Sequence, residues 1–173
     1  MEIPQLALRA LQLLWIVILT GLIGNVIHNT SHAAATATAA VNFSMFVVVV
    51  SWLAALFGAA AGFVERIALP IALLGLDAVA TLFTFIAAVV LAAKLRAVNC
   101  ADTRGKGAAW IGYGSADDTK RCREIQASTA FMWFLFASFA AGLAITFLGF
   151  RRTGGVGGVR GGGGPTMSQV GRV

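Results

Sequence analysis

Few residues in this chain are equipped for chemistry. Asp77 stands alone as an acid inside a long apolar stretch, Cys100 and Cys122 are the two cysteines, and His28 and His32 lie four positions apart. A carboxylate at the centre of a bilayer costs on the order of 3 kcal/mol on insertion scales, so its presence there demands a reason. Two are open: a protonated or hydrogen-bonded group that fastens helices together, or part of an ion path. Thr81 and Thr84 share its face at helical spacing, and Thr20 or Asn25 on the first apolar run are available partners. A relay needs further intramembrane acids or histidines, and the other apolar runs carry none. The histidines have ligand spacing only if one helix continues through both. They fall where the first run gives way to Asn29, Thr30 and Ser31, with no carboxylate or cysteine close by in sequence, so no metal site is expected.

The elements that must position these groups are four apolar runs, Leu6–Ile27, Val41–Phe63, Ile67–Ala93 and Ala127–Phe150. Each reaches the ~20 residues a helix needs to cross a ~30 Å hydrocarbon core. With no water to satisfy the backbone, each must form a helix, and the alternation of barrel strands is absent. A hydrophobic fraction of 58%, a charged fraction of 12% and a mean hydropathy of +0.84 exclude a disordered chain and disfavour a soluble domain. The expected fold is an all-α membrane protein, a four-helix transmembrane bundle over residues 1–150 with a tail from 151 to 173. The first run exceeds the apolar core of a signal peptide and lacks a strong basic leader, which favours a retained anchor over a cleaved one.

An even number of spans puts both termini on one face. Arg9, Arg66, Arg151, Arg152, Arg160 and Arg172 lie on that face, against Lys94, Arg96, Arg104, Lys106, Lys120, Arg121 and Arg123 on the other, a near tie by positive charge. The first loop has no Lys or Arg, and both cysteines fall in the long loop, where a disulfide persists only on an oxidising side. These place the termini in the cytoplasm and the long loop, Lys94–Gln126, outside. Joining Cys100 to Cys122 removes roughly 3 kcal/mol of loop entropy and fastens the third and fourth helices together; two free thiols are the alternative. A thiol oxidoreductase is disfavoured because the chain has no Cys-x-x-Cys and no second pair. The loop aromatics Trp110 and Tyr113 either fold back onto the headgroup layer or pack on the helix ends. Asn29-Thr30-Ser31 and Asn42-Phe43-Ser44 are formal glycosylation sequons, but both hug the membrane and neither is expected to be modified.

Ala54, Gly58 and Gly62 recur every fourth position in the second run, and Ser138, Gly142 and Thr146 do so in the fourth. Small residues let helix backbones approach closely, within the chain or between two copies. Phe131, Trp133, Phe134, Phe136, Phe139 and Phe147 give the fourth run a bulky surface. Arg9 near one boundary is expected to snorkel to headgroups, and Arg151 and Arg152 to contact anionic lipid. The glycine-rich stretch 154–164 is too flexible to fold alone, and one Arg-Gly-Gly fragment at Arg160 is weak evidence for nucleic acid, so no nucleic-acid partner is expected.

Arg9, Phe63-Val64-Glu65 before Pro70, Leu76-Asp77, Phe83-Thr84-Phe85, Cys100, Arg121-Cys122-Arg123, Gln126-Ala127 and Pro165-Thr166-Met167-Ser168-Gln169-Val170 follow in an order that resembles the MARVEL-domain tetraspans. The likeness is to the fungal branch linked to unconventional export and eisosomes, and it covers essentially the whole chain. The glycines before Pro165 and the residues after Val170 depart from it. The resemblance implies a plasma-membrane protein that organises lateral domains and furrows, responds to sphingolipid, and works through lipids (sphingolipid, sterol, anionic headgroups), copies of itself and other membrane proteins. No nucleophile with a base and no phosphate loop is present, so neither an enzyme nor a bound cofactor is expected. The competing reading is a small transporter or channel component that uses Asp77.

Overall fold

In the computed structural model the described residues are 3–63, 70–96, 99–101, 107 and 109–152. They form four helices and no strand: α1 (Ile3–His28), α2 (Ala35–Phe63), α3 (Pro70–Leu95) and α4 (Asp118–Arg152). Arg151 and Arg152, the first residues of the expected tail, close α4, while 153–173, the short turn around Glu65 and Arg66, and the start of the third expected run, 67–69, lie outside the described residues. Each helix holds a stretch long and apolar enough to cross a membrane: Gln5–His28, Ala35–Ala61, Ile71–Leu95 and Asp118–Gly149.

Local chemistry sets the helix ends. Pro70 opens α3, where its missing N–H leaves no bond unmade. At the far end of α3, Arg96 adopts φ 61° and its N–H bonds to the Ala92 carbonyl at 2.9 Å, a left-handed cap occupied here by a residue other than glycine. The Asp117 side chain caps α4 by accepting the Lys120 N–H at 2.9 Å. This cap lets α4 begin nine residues before the expected Ala127, with the charged stretch Asp118–Gln126 as its first turns. At 35 residues α4 is about 50 Å long, so it stands well clear of a ~30 Å core.

The helices run up and down in sequence around a ring. α1 packs against α2 and α4, α3 packs against the same two, and α1 and α3 occupy opposite corners. Their inward faces recur at helical spacing: Ile16, Leu19, Ile23 and Val26 on α1, Ala80, Ala87, Ala88 and Leu91 on α3, Met132, Leu135 and Phe139 on α4. Buried hydroxyls on these seams are satisfied within their own helix, as Ser44 bonds the Ala40 carbonyl (2.9 Å), Ser51 that of Val47 (2.8 Å) and Ser128 that of Glu124 (2.8 Å). The outer surface is apolar. Leu14, Val17, Phe46, Leu53, Ile71, Leu82, Phe134 and Leu148 are exposed, a covering suited to lipid and poorly suited to water.

Candidate functional site

Four helices converge on one buried charge pair in the half of the bundle that carries the start of α1 and the end of α4. Asp77 of α3 is 1% exposed, and Arg9 of α1, 6% exposed, reaches it across the diagonal. Arg9 Nη1 donates to Oδ1 at 2.8 Å and Nη2 to Oδ2 at 2.6 Å, the two-pronged geometry that suits guanidinium and carboxylate. Arg9 Nη1 also donates to Gln12 Oε1 at 3.0 Å, and Gln12 Nε2 donates to the Ser138 carbonyl of α4 at 3.2 Å. α2 contributes an absence of side chain: a Cβ at Gly58 would overlap the Arg9 guanidinium.

These contacts correct several expectations. Arg9 does not snorkel to headgroups, because a buried carboxylate binds its guanidinium on two sides and the bundle closes around it. Thr20 and Asn25 do not serve Asp77: Thr20 accepts the Trp52 indole N–H at 3.1 Å, and Asn25 donates to Glu124 Oε1 at 2.6 Å. Thr81 and Thr84 lie on the Asp77 side of α3, yet their hydroxyls donate to the main-chain oxygens of Asp77 (2.6 Å) and Ala80 (2.7 Å), not to the carboxylate. Asp77 shares its half of the bundle with Arg9 and Gly58, which lie near the start of α1 and the end of α2.

Of the α2 stripe, Ala54 is buried and Gly58 faces Arg9, so both serve packing within the chain; the surroundings of Gly62 lie outside the described residues. The α4 stripe faces α1. Ser138 accepts from Gln12, a Cβ at Gly142 would meet Gln12 Nε2 at 3.5 Å, and Thr146 Oγ1 accepts from Gln5 Nε2 at 3.1 Å. The bulky α4 residues divide: Phe139 is fully buried, while Trp133, Phe134 and Phe147 are exposed. Arg151 lies over the Phe147 ring, 5.8 Å from its centroid. The Arg152 side chain is outside the described set.

At the other end Cys100 and Cys122 form the expected disulfide. The loop it closes packs on the helix ends. Ile111 is fully buried, the Trp110 indole N–H donates to the Leu95 carbonyl at 3.0 Å, and Gly114, at φ 106°, accepts the N–H groups of Ser31 (2.9 Å) and His32 (3.2 Å). Arg121 lies buried beneath it. Its Nε donates to the Ile111 carbonyl at 3.0 Å, and its Nη1 to the Val26 carbonyl at 3.2 Å and to Thr30 Oγ1 at 2.5 Å. His28 ends α1 and His32 lies past it, so the two share no helical face.

Sequence reasoning did not reach Gln5, Gln12 or the burial of Arg121. Gln12 carried a usable sign, as a polar residue one turn from Arg9 within the same apolar run.

A bundle of four membrane-length helices, with an Arg9–Asp77 ion pair inside and a disulfide-closed loop, is the setting for the comparison with known proteins. The sequence profile of the membrane-associating domain MARVEL matches residues 3–145. The chain belongs to the MARVEL family. Among curated proteins, it is 34% identical over 178 residues to Non-classical export protein 2 of Saccharomyces cerevisiae, covering 94% of this chain and 95% of that protein. It is 31% identical over 151 residues to Non-classical export protein 2 homolog 1 of the same yeast, covering 86% and 82%. No solved structure matches. The family resemblance drawn from Arg9, Asp77 and the cysteine-flanking residues is therefore upheld, and the chain is a multi-pass membrane protein with four apolar helices.

Proposed function

We propose that this MARVEL protein organises lateral domains of the plasma membrane, including eisosome-type furrows, through contacts with lipid and with copies of itself, and that it responds to sphingolipid. Both termini face the cytoplasm and the disulfide-closed loop faces outward. The observation that carries the reading is the disposition of polarity: Asp77, the buried acid among the described residues, is paired with Arg9 inside the bundle, and the outer surface is left apolar. Such a molecule acts on its surroundings through shape and surface. The relatives' names speak of non-classical export. The two-pronged pairing of Asp77 with Arg9 supports a structural carboxylate over one that carries ions. A fluorescently tagged chain expressed in yeast lacking Non-classical export protein 2 is expected to gather in stable plasma-membrane patches that rearrange when sphingolipid synthesis is inhibited. A uniform membrane signal, indifferent to the inhibitor, would sink the proposal.

A further inference from the structure

α3 and α4 leave a cleft of about 430 Å³ between them, within the ~300–1,000 Å³ range of ligand pockets. It lies in the half of the bundle that holds the chain ends. Leu74, Ala78 and Thr81 form one wall, and Ala140, Ala144 and Phe147 the other. Thr81 is the polar member, and its hydroxyl is committed to the Asp77 carbonyl at 2.6 Å. The trough therefore offers carbon to whatever fills it, at a depth where the surroundings are hydrocarbon. Its mouth is different. Arg151 stands one turn beyond Phe147, about 6 Å along α4 toward the chain ends, with its guanidinium over the face of the Phe147 ring that walls the cleft. A neutral sterol makes no use of that cation.

We propose that the cleft holds one acyl chain of an acidic glycerophospholipid, drawn from the leaflet on the side of the chain ends, with its phosphate and acidic headgroup at Arg151. The inference rests on the membrane-organiser reading, for which it names the lipid class and the seat. Small side chains at Ala78, Ala140 and Ala144 give the chain its depth, and Phe147 holds the arginine at the mouth.

Native mass spectrometry of the full-length protein in mild detergent tests this, with phosphatidylserine, phosphatidylcholine and a sterol supplied in equal amounts. One retained phosphatidylserine is expected, favoured over phosphatidylcholine about fivefold, the factor that one basic residue contributes at an anionic surface. Ala78 and Ala144 are exposed, so Ala78→Phe and Ala144→Phe fill the cleft without entering the core, and either should remove most of the adduct. Arg151→Gln should leave an adduct but erase the headgroup preference. Equal retention of both phospholipids, a sterol that displaces them, an adduct indifferent to Ala144→Phe, or loss of a dimer in its place would each overturn the site. Patch formation by the same variants in cells is scored separately. A chain that binds phosphatidylserine in the cleft but spreads uniformly keeps the site and loses the organiser reading, and patches without the adduct lose the site alone.

Discussion

Arg9 and Asp77 are 68 positions apart in sequence and bonded in space, and each is intelligible only through the other. Removing one member of a buried pair strands a charge away from water, at a cost of about 3–5 kcal/mol. Arg9→Met or Asp77→Leu alone should therefore lower thermal stability in detergent sharply, and the double variant should recover most of the loss. A double variant as unstable as the worse single one would mean that the pair is not the unit. Gly58 belongs to the same unit, because a methyl there intrudes on the guanidinium. Gly58→Ala is expected to destabilise the native chain by 1–3 kcal/mol, about the usual penalty for overpacking, and to be neutral or favourable beside Arg9→Met. Denaturation midpoints across that cycle measure the coupling. The oddity of Asp77 was legible in the sequence, since an acid in an apolar run has no bland explanation. Its partner was harder to read: hydropathy places Arg9 near a boundary, and nothing local says that the side chain turns inward. The small residue at Gly58 announced a close approach without saying that an arginine made it.

Helix existence was plain at the level of elements, because each span is a long apolar run, whereas helix beginnings were not. α4 starts in a charged segment that a hydropathy window discounts, and its start is set by the Asp117 cap. That extension carries Cys122 and Arg121, so the loop is held twice, once by a covalent bond and once by a guanidinium spread over the Ile111 and Val26 carbonyls and the Thr30 hydroxyl. Replacing both cysteines with serine should cost roughly 3 kcal/mol yet leave residues 109–116 seated. Arg121→Leu should do the reverse, speeding backbone hydrogen exchange through that segment by tenfold or more while the disulfide stays closed. If exchange there follows the cysteines and not Arg121, the guanidinium is a minor contributor.

For the whole molecule, the ring of four helices holds Arg9 and Asp77 across its diagonal and covers its outer face with apolar side chains such as Phe46, Leu53, Leu82 and Phe134. The long loop lies on the opposite side from Arg9 and Arg151, so one orientation in the membrane fixes the address of every group. With the loop outside, a cysteine introduced at Tyr113, which is exposed, should react with a membrane-impermeant thiol reagent in intact cells, and one at Arg151 only after permeabilisation. The opposite pattern would invert the topology proposed here.

The bundle is closed by different chemistry at its two rims. One rim is drawn together by an ion pair whose strength depends on exclusion of water, the other by a sulfur–sulfur bond whose persistence depends on electron supply. Mechanically the molecule is a barrel with two unlike hoops. Wetting or thinning of the leaflet around Arg9 slackens one hoop, and a reductant on the far side slackens the other, so the two ends answer to different surroundings.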